Sequence, residues 1–260
     1  MNEFKGLHIS INNQTLSIEY GKDVFGPAAE WRKFNDIKHI YLNPNCEGPE
    51  ISYGIMMDIG KGIHRELLSE HKILFGAMVF ATGQVGNEPI KSQGHIHKTS
   101  IHSGWSPPEI YEIWQGTAII YMQEVIANHP GRCYAIEAKK GDFVVVPPGW
   151  AHCSISADAT TSLAFGACCD RNYGFIYEPI KEKNGFAWIP YFDDNNKIAW
   201  KENPTYTKSI LISKSPEDYS TSLGFTNNKP LYSLFEDNPA IFEFVSNPAL
   251  KESVWNSFIP

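Results

Sequence analysis

Hydrophobic and polar positions change their spacing twice along the chain. From residue 73 to about residue 191, short runs of β-branched and aromatic residues are separated by turns of Gly, Pro and Asn. Strands of this length at close intervals are typical of a sandwich or barrel and not of alternating strand–helix units. The pattern therefore predicts an all-β domain over 73–200.

Both flanks of this region carry helical patterns. In the N-terminal segments, 1–72, we predict helices over 28–37 and 61–71, and apolar residues of the second share one helical face. In the C-terminal extension, 201–260, each of the prolines at 230, 239 and 248 follows Lys or Asn, which favours the first turn of a helix. We therefore predict two or three short helices there.

The predicted C-terminal helices are expected to pack on the β-domain through apolar side chains. These side chains are Leu231, Leu234, Phe235, Phe242, Phe244, Val245, Leu250, Trp255 and Phe258. Nothing in this extension has the residue types of a chemical site, so we expect its role to be structural.

Composition and charge narrow the classes of partner. Of the 260 residues, 42% are hydrophobic and 20% are charged, as in an ordinary globular protein. The net charge of −7 gives no electrostatic reason to expect nucleic acid or an anionic membrane as a partner.

The first residues lack a basic segment followed by an apolar run, and no apolar stretch is long enough to span a bilayer. Five cysteines without a CxxC spacing indicate reduced, buried thiols. We therefore expect a cytoplasmic protein.

The chemistry is concentrated between residues 94 and 116 and at one later histidine. Alternate residues of a strand point to the same face, so His95 and His97 are expected side by side, and Glu109 beside Tyr111. His152 follows a Pro-Pro-Gly turn at the end of another predicted strand. Three imidazoles and one carboxylate suit a divalent transition metal that keeps positions open for a substrate.

The spacing of these residues resembles the two motifs of the cupin family. The first motif is an HxH pair, a glutamate and a glycine six residues beyond it, and the second is G-x5-P-x-G-x2-H. Here they fall on His95, His97, Glu109 and Gly116, and on Gly141, Pro147, Gly149 and His152. The resemblance implies a double-stranded β-helix, or jelly-roll barrel. Eleven residues separate His97 from Glu109, so we predict a loop at the barrel mouth over 98–108.

A narrower resemblance covers roughly residues 75–190. The segments GHIH, PEIY, VVVPPGWAH and NYGFIY are similar to those of the cupin-type glucose-6-phosphate isomerases. The resemblance implies one divalent metal per chain, Fe²⁺ first and Mn²⁺, Ni²⁺ or Zn²⁺ as further candidates. The ligands that it implies are His95, His97, Glu109 and His152.

The same resemblance implies the reaction and the residues that serve it. Aldose–ketose isomerisation of glucose 6-phosphate and fructose 6-phosphate, a step of glycolysis and gluconeogenesis, would use Glu109, Tyr111 and Tyr173. The phosphate-binding segment corresponds to 91–94, where Lys91, Ser92 and Gly94 are the predicted contacts and Ser92 replaces the usual Thr. Arg171, close to Tyr173 in sequence, is a further candidate for the anion. Cupin sheets commonly pair, so we expect a homodimer.

Two other classes of function stay open at this stage. The first is a cupin enzyme that acts on another sugar or oxygenated acid, including a dioxygenase. The second is a cupin that binds sugar phosphate without converting it. Outside the motifs we expect no role in catalysis or binding. Glu88 is expected in a solvated turn and Glu112 at a surface or subunit contact. Trp114 and Trp150 are expected in the core, and His102 on the loop without a bound metal.

Overall fold

Two largely antiparallel sheets carry the fold in the computed structural model, which describes residues 6–172, 174–226 and 228–260. The strands are β1 (Ile9–Asn12), β2 (Ser17–Tyr20), β3 (Val24–Phe25), β4 (Glu30–Lys33), β5 (Ile51–Met57), β6 (Gly60–Lys61), β7 (Ile73–Phe80), β8 (Gln84–Val85), β9 (Glu88–Pro89), β10 (Ile96–His97), β11 (Glu109–Gln115), β12 (Thr117–Gln123), β13 (Cys133–Lys139), β14 (Phe143–Val146), β15 (Ala151–Ser156), β16 (Ala164–Asp170), β17 (Phe175–Ile176), β18 (Trp188–Phe192), β19 (Ile198–Glu202) and β20 (Leu211–Lys214).

Helices are short throughout. The α-helices are α1 (Phe34–Ile37), α2 (Arg65–Glu70), α3 (Glu178–Glu182), α4 (Leu231–Asp237), α5 (Glu243–Ser246) and α6 (Glu252–Trp255), and the 3-10 turns are Lys38–Ile40, Gly62–His64, Pro239–Phe242 and Pro248–Lys251. No helix in the described part of the chain is long and apolar enough to cross a membrane.

The order of the strands is that of a jelly roll. One sheet has the order β14-β11-β16-β7-β5-β4, and the other has the order β15-β12-β13-β20. Along the chain, β11 lies in the first sheet, β12 and β13 in the second, β14 in the first, β15 in the second and β16 in the first. The predicted all-β barrel is thus confirmed.

The second sheet continues beyond its regular strands. Lys91 bridges to Ile155 and His95 bridges to His152, both antiparallel, and β10 then pairs with β17. The segment before β11 is therefore held against β15, which brings residues of both cupin motifs to the same edge.

Three of the four apolar clusters in the described residues fill the layers, since side chains of a strand alternate between its two faces. One lies between the sheets and includes Tyr53, Phe80, Ile120 and Phe165. A second covers the outer face of the six-stranded sheet with β1, β2 and the C-terminal helices, and a third lies outside the four-stranded sheet beneath residues 177–206.

The flanking regions contribute strands as well as cover. From the N-terminal side, β4 and β5 join the six-stranded sheet, and from the C-terminal side β20 pairs with β13 in parallel. The predicted boundaries of the barrel at residues 73 and 200 stay a prediction. Both sheets include strands that lie outside these boundaries.

The helix predictions are confirmed in part. A helix over the whole of 28–37 is wrong, because Glu30–Lys33 pairs with β5 and only Phe34–Ile37 is helical. The second predicted helix is observed over Arg65–Glu70, and three short α-helices follow residue 230. Of the packing residues named for them, Leu250 is 56% exposed and lies outside the core.

Two glutamates that we expected at the surface are buried. Glu112 accepts a hydrogen bond from the Leu231 amide at 3.1 Å, so it fixes the first residue of α4 to the sheet. Glu88 accepts the Leu42 amide at 2.7 Å and forms an ion pair with Lys91. Trp114 and Trp150 are buried as predicted, and all five cysteines are free, four of them buried.

Candidate metal centre

Backbone pairing brings the predicted donors together. His95 and His152 face each other across an antiparallel bridge, in which each amide donates to the other's carbonyl at 3.0 Å. His97 lies in β10, Glu109 is the first residue of β11, and His152 lies in β15. Three strands and one isolated β-bridge therefore place the four side chains inside the mouth of the barrel.

The four side chains converge on one carboxylate oxygen. Glu109 Oε2 lies 3.1 Å from His152 Nε2, 3.3 Å from His97 Nε2 and 4.0 Å from His95 Nε2. One donor atom from each of the four residues lies within 4.8 Å of the others. The i, i+2 spacing did place His95 and His97 together: their rings are stacked with centroids 5.1 Å apart.

The tautomers of two imidazoles follow from their backbone partners. His97 Nδ1 lies 2.9 Å from the Pro107 carbonyl, and His152 Nδ1 lies 3.0 Å from the Trp150 carbonyl. A carbonyl only accepts, so each Nδ1 carries the hydrogen and, in the neutral ring, each Nε2 presents a lone pair to Glu109. A lone pair facing a carboxylate at these distances is repulsive unless a proton or a metal cation lies between the two atoms.

The donor set fits a divalent metal. The Nε2 atoms of His95 and His97 are buried and have no hydrogen-bond partner among the described residues. An unsatisfied buried polar atom costs on the order of 1–3 kcal/mol, which a cation bound to these nitrogens would offset. Three imidazoles and a carboxylate are ligands suited to iron, manganese, nickel and zinc.

Electrostatics in the cluster agree with ligand roles. Burial, together with the positive character of His152 and His97, holds the pKa of His95 well below its usual range, so this ring is neutral. Burial would raise the pKa of Glu109, but contacts with His152 and His97 reverse the effect and hold it well below its ordinary value. Burial would lower the pKa of His97, but its contact with Glu109 reverses the effect and raises that pKa, so a metal that binds this ring would compete with a proton.

Tyr111 supports the carboxylate from the neighbouring position on the same face of β11. Its hydroxyl donates to Glu109 Oε2 at 2.7 Å. Burial, followed by the charge of Glu109, raises the pKa of Tyr111 well above its ordinary value, so the phenol stays protonated. The residue acts as a hydrogen-bond donor beside the donor cluster.

Sequence reasoning missed the groups that orient the imidazoles. The carbonyls of Pro107 and Trp150 fix His97 and His152, and the Phe175 ring packs 4.2 Å from that of His95. Loop 98–108 therefore holds His97 by its C-terminal end, while His102 in the middle of the loop is exposed. The Pro107-Pro108 pair before Glu109 was the one sign in the sequence that this end of the loop is rigid.

Gly94 has a steric reason to be glycine. Its φ is +75°, and a Cβ there would lie 2.5 Å from the Phe186 ring. A side chain would thus be strained in its backbone and would collide with a packed ring immediately before His95. The absence of a side chain at Gly94 lets the backbone before His95 lie directly against β15.

The other predicted site residues are not in the four-residue cluster. Lys91 is ion-paired with Glu88, Ser92 Oγ accepts the Ser154 amide at 2.9 Å, and Arg171 is paired with Asp58 at 2.8 Å. Tyr173 lies outside the described residues. The roles of these residues in substrate binding stay predictions.

Comparison with known proteins gives the family. A family model described as glucose-6-phosphate isomerase matches residues 31–208, a range that includes all four donors. The chain belongs to the glucose-6-phosphate isomerase family. Its members are isomerases, and the cupin-type resemblance of the motifs is confirmed.

Several curated relatives carry the same description. A glucose-6-phosphate isomerase of Thermococcus litoralis is 28% identical over 181 residues, which cover 67% of this chain and 86% of that protein. One of Pyrococcus furiosus is 27% identical over 139 residues, or 54% of this chain and 67% of that protein.

Solved structures share part of the fold at low identity. A mutant of Bacillus subtilis oxalate decarboxylase is 14% identical, with a TM-score of 0.36 and coverage of 60% of this chain and 31% of that chain. Oxalate oxidase in complex with glycolate is 16% identical, with a TM-score of 0.32 and coverage of 42% and 47%.

Proposed function

We propose that the chain interconverts glucose 6-phosphate and fructose 6-phosphate at the candidate metal centre, as a step of glycolysis and gluconeogenesis. The observation that carries the proposal is the convergence of three imidazole nitrogens on Glu109 Oε2, with Tyr111 donating to the same oxygen. The family match over 31–208 supports the reaction class.

We assign one divalent metal per chain to His95, His97, Glu109 and His152. Fe²⁺ is the leading candidate, with Mn²⁺, Ni²⁺ and Zn²⁺ as alternatives, because imidazole and carboxylate accept all of them. The chemistry that such a cation supplies when bound is stabilisation of the negative charge that develops on the sugar oxygens.

Glu109 is the proposed base. Isomerisation moves a proton between C1 and C2, and the contacts of the carboxylate described above all involve Oε2. Oε1 is left to take the proton from one carbon and return it to the other. Tyr111 holds Oε2 in place, and Tyr173 is the proposed second tyrosine for the substrate hydroxyls.

For the phosphate we propose the segment 91–94 with help from Arg171. Ser92 Oγ already accepts a backbone amide, so its own hydrogen is available to a phosphate oxygen. The Gly94 amide is the second proposed donor. Lys91 and Arg171 are held in ion pairs with Glu88 and Asp58, so we propose that each contributes to phosphate binding only by exchanging its present partner.

We also propose a homodimer that works in the cytoplasm. The five free cysteines agree with a reducing compartment. A light-scattering mass of twice 29.3 kDa is expected, and a mass near 29.3 kDa would contradict the dimer.

The activity is tested with purified chain loaded in turn with each of the four metals. Fructose 6-phosphate is added, and any glucose 6-phosphate is coupled to its dehydrogenase. Turnover that is lost in Glu109→Gln supports the proposal, and absence of turnover with all four metals contradicts it. A thermal shift without turnover would then favour a binding protein, and oxygen consumption with oxygenated acids would favour a dioxygenase.

A further inference from the structure

A second cavity lies on the opposite side of β15 from the metal centre. It has a volume of about 410 Å³ and is bounded by the outer face of the four-stranded sheet, by residues 39–42 and by residues 177–190. Cys153 lines it, whereas the adjacent His152 points into the barrel. None of the four candidate metal ligands contributes to its wall, whereas Lys91 and Ser92 of the proposed phosphate segment do.

The floor of this outer cavity is apolar and aromatic. Tyr121, Ile155, Ile180 and Phe186 form it, and all four are buried in the cluster outside the four-stranded sheet. A cavity of several hundred Å³ with such a lining has the size and surface of a small-molecule site. The body of its ligand is therefore expected to be a flat apolar or aromatic group.

One polar atom in the wall has no partner. Tyr41 is 4% exposed and lines the cavity, and its hydroxyl makes no well-aligned hydrogen bond within the described residues. Burial raises the pKa of this hydroxyl, although the Lys91 backbone lies close enough to lower that pKa in part. A buried hydroxyl without a partner is destabilising, and a polar group on a ligand would relieve that cost. This hydroxyl points to a ligand that is not purely hydrocarbon.

The charges at the cavity have one sign. His39, Lys91 and Lys181 are its ionisable basic residues, and none of its lining residues is acidic. Lys91 is neutralised by Glu88, while His39 and Lys181 are exposed at the rim and have no ion-pair partner among the described residues. Burial and then the charge of Lys181 lower the pKa of His39, so the two groups lie within electrostatic reach.

We propose that this outer cavity binds a small aromatic anion, with its rings on the floor beside Phe186 and its negative group between Lys181 and His39. Lys181 supplies the positive charge, and the neutral His39 ring can donate a hydrogen bond to the same anionic group, with no carboxylate among the lining residues to oppose it. The chain has a net charge of −7, so this local positive rim is not part of a general basic surface.

The test uses 8-anilinonaphthalene-1-sulfonate as the anionic aromatic probe and N-phenyl-1-naphthylamine as its uncharged counterpart. Both are titrated by fluorescence into the full chain and into Lys181→Glu. We expect the sulfonate to bind the variant at least about tenfold more weakly, which corresponds to about 1.4 kcal/mol. The uncharged probe should bind both proteins alike.

Two controls separate the outer cavity from other causes. Lys197→Glu makes the same charge change at an exposed position away from the cavity and should leave sulfonate binding unchanged. His97→Ala should also leave it unchanged, so failure of the isomerase proposal would not affect this result. Equal sulfonate binding by the wild type and Lys181→Glu, equal weakening of both probes, or loss of sulfonate binding in His97→Ala would each overturn the proposal.

Discussion

His95 and His152 are a directly hydrogen-bonded pair of backbones as well as two candidate ligands of one metal. Each donates its amide to the other's carbonyl at 3.0 Å, although 56 residues lie between them in sequence. Their ring centroids are 4.4 Å apart as a consequence. The spacing of these donors is therefore set by main-chain geometry, which leaves little to be organised when a metal binds.

Replacement of His97 by Ala should weaken metal binding. The change leaves three of four donors, and the carbonyl of Pro107 cannot replace the missing imidazole. We expect metal to be lost on dialysis and to return under excess metal, as measured by elemental analysis per chain. His102→Ala is the matched control, since it removes an exposed imidazole from the loop between His97 and Glu109. Metal lost from the His102 variant and kept by the His97 variant would move the site onto the loop.

Replacement of Glu109 by Gln should separate catalysis from metal binding. The amide keeps the size and one oxygen but loses the negative charge and the proposed base. We expect isomerisation to fall by at least about 100-fold, the scale of a general base, with a smaller loss of bound metal. Metal content and initial rate are measured on the same preparation. An active variant would exclude Glu109 as the base.

Replacement of Tyr111 by Phe removes the hydroxyl that donates to Glu109 Oε2 and nothing else. Loss of a hydrogen bond to a metal ligand lowers activity or metal affinity by about 10- to 100-fold. We expect this loss in kcat or in metal affinity, with the melting temperature little changed because the ring still fills the core. A variant with wild-type rate and metal affinity would show that the 2.7 Å contact has no functional role.

Replacement of Phe235 by Ala tests whether the C-terminal helices are part of the folded core. Phe235 is fully buried against Phe75 and Phe242, so its truncation should lower the free energy of unfolding by about 3–5 kcal/mol. Leu250→Ala, at a position 56% exposed, should change it by less than about 0.5 kcal/mol. Urea denaturation of both variants provides the comparison. Equal free energies of unfolding for the two variants would mean that the C-terminal extension does not contribute to the stability of the folded core.

The convergence of the four candidate ligands was predictable because the rules behind it are local. Alternation along a strand puts His95 beside His97 and Glu109 beside Tyr111. The Pro-Pro-Gly turn indicates that His152 lies at the start of a new strand. The buried strands of 73–200 were likewise visible from their composition. Local rules gave no sign that Glu30–Lys33 would be a strand, since its partner β5 is about twenty residues away.

What the sequence could not give depends on distant partners. The charge of Lys91 is taken by Glu88, which is buried because the Leu42 amide reaches it from another segment. The outer cavity exists because residues 177–190 fold back over β15, a packing that no motif encodes. Predictions for the phosphate contacts rested on the family resemblance of segment 91–94 and on residue type, and neither reveals whether a charge is already paired.

Strand β11 carries two buried carboxylates that point in opposite directions. Glu109 meets the imidazoles inside the barrel, and Glu112 meets the Leu231 amide outside it. If the pairing of this strand slipped by one position, every side chain would change face, and both carboxylates would enter apolar surroundings without a partner. A slip of one position would therefore leave two buried charges without partners, so these carboxylates favour the observed register of β11 over its two nearest neighbours.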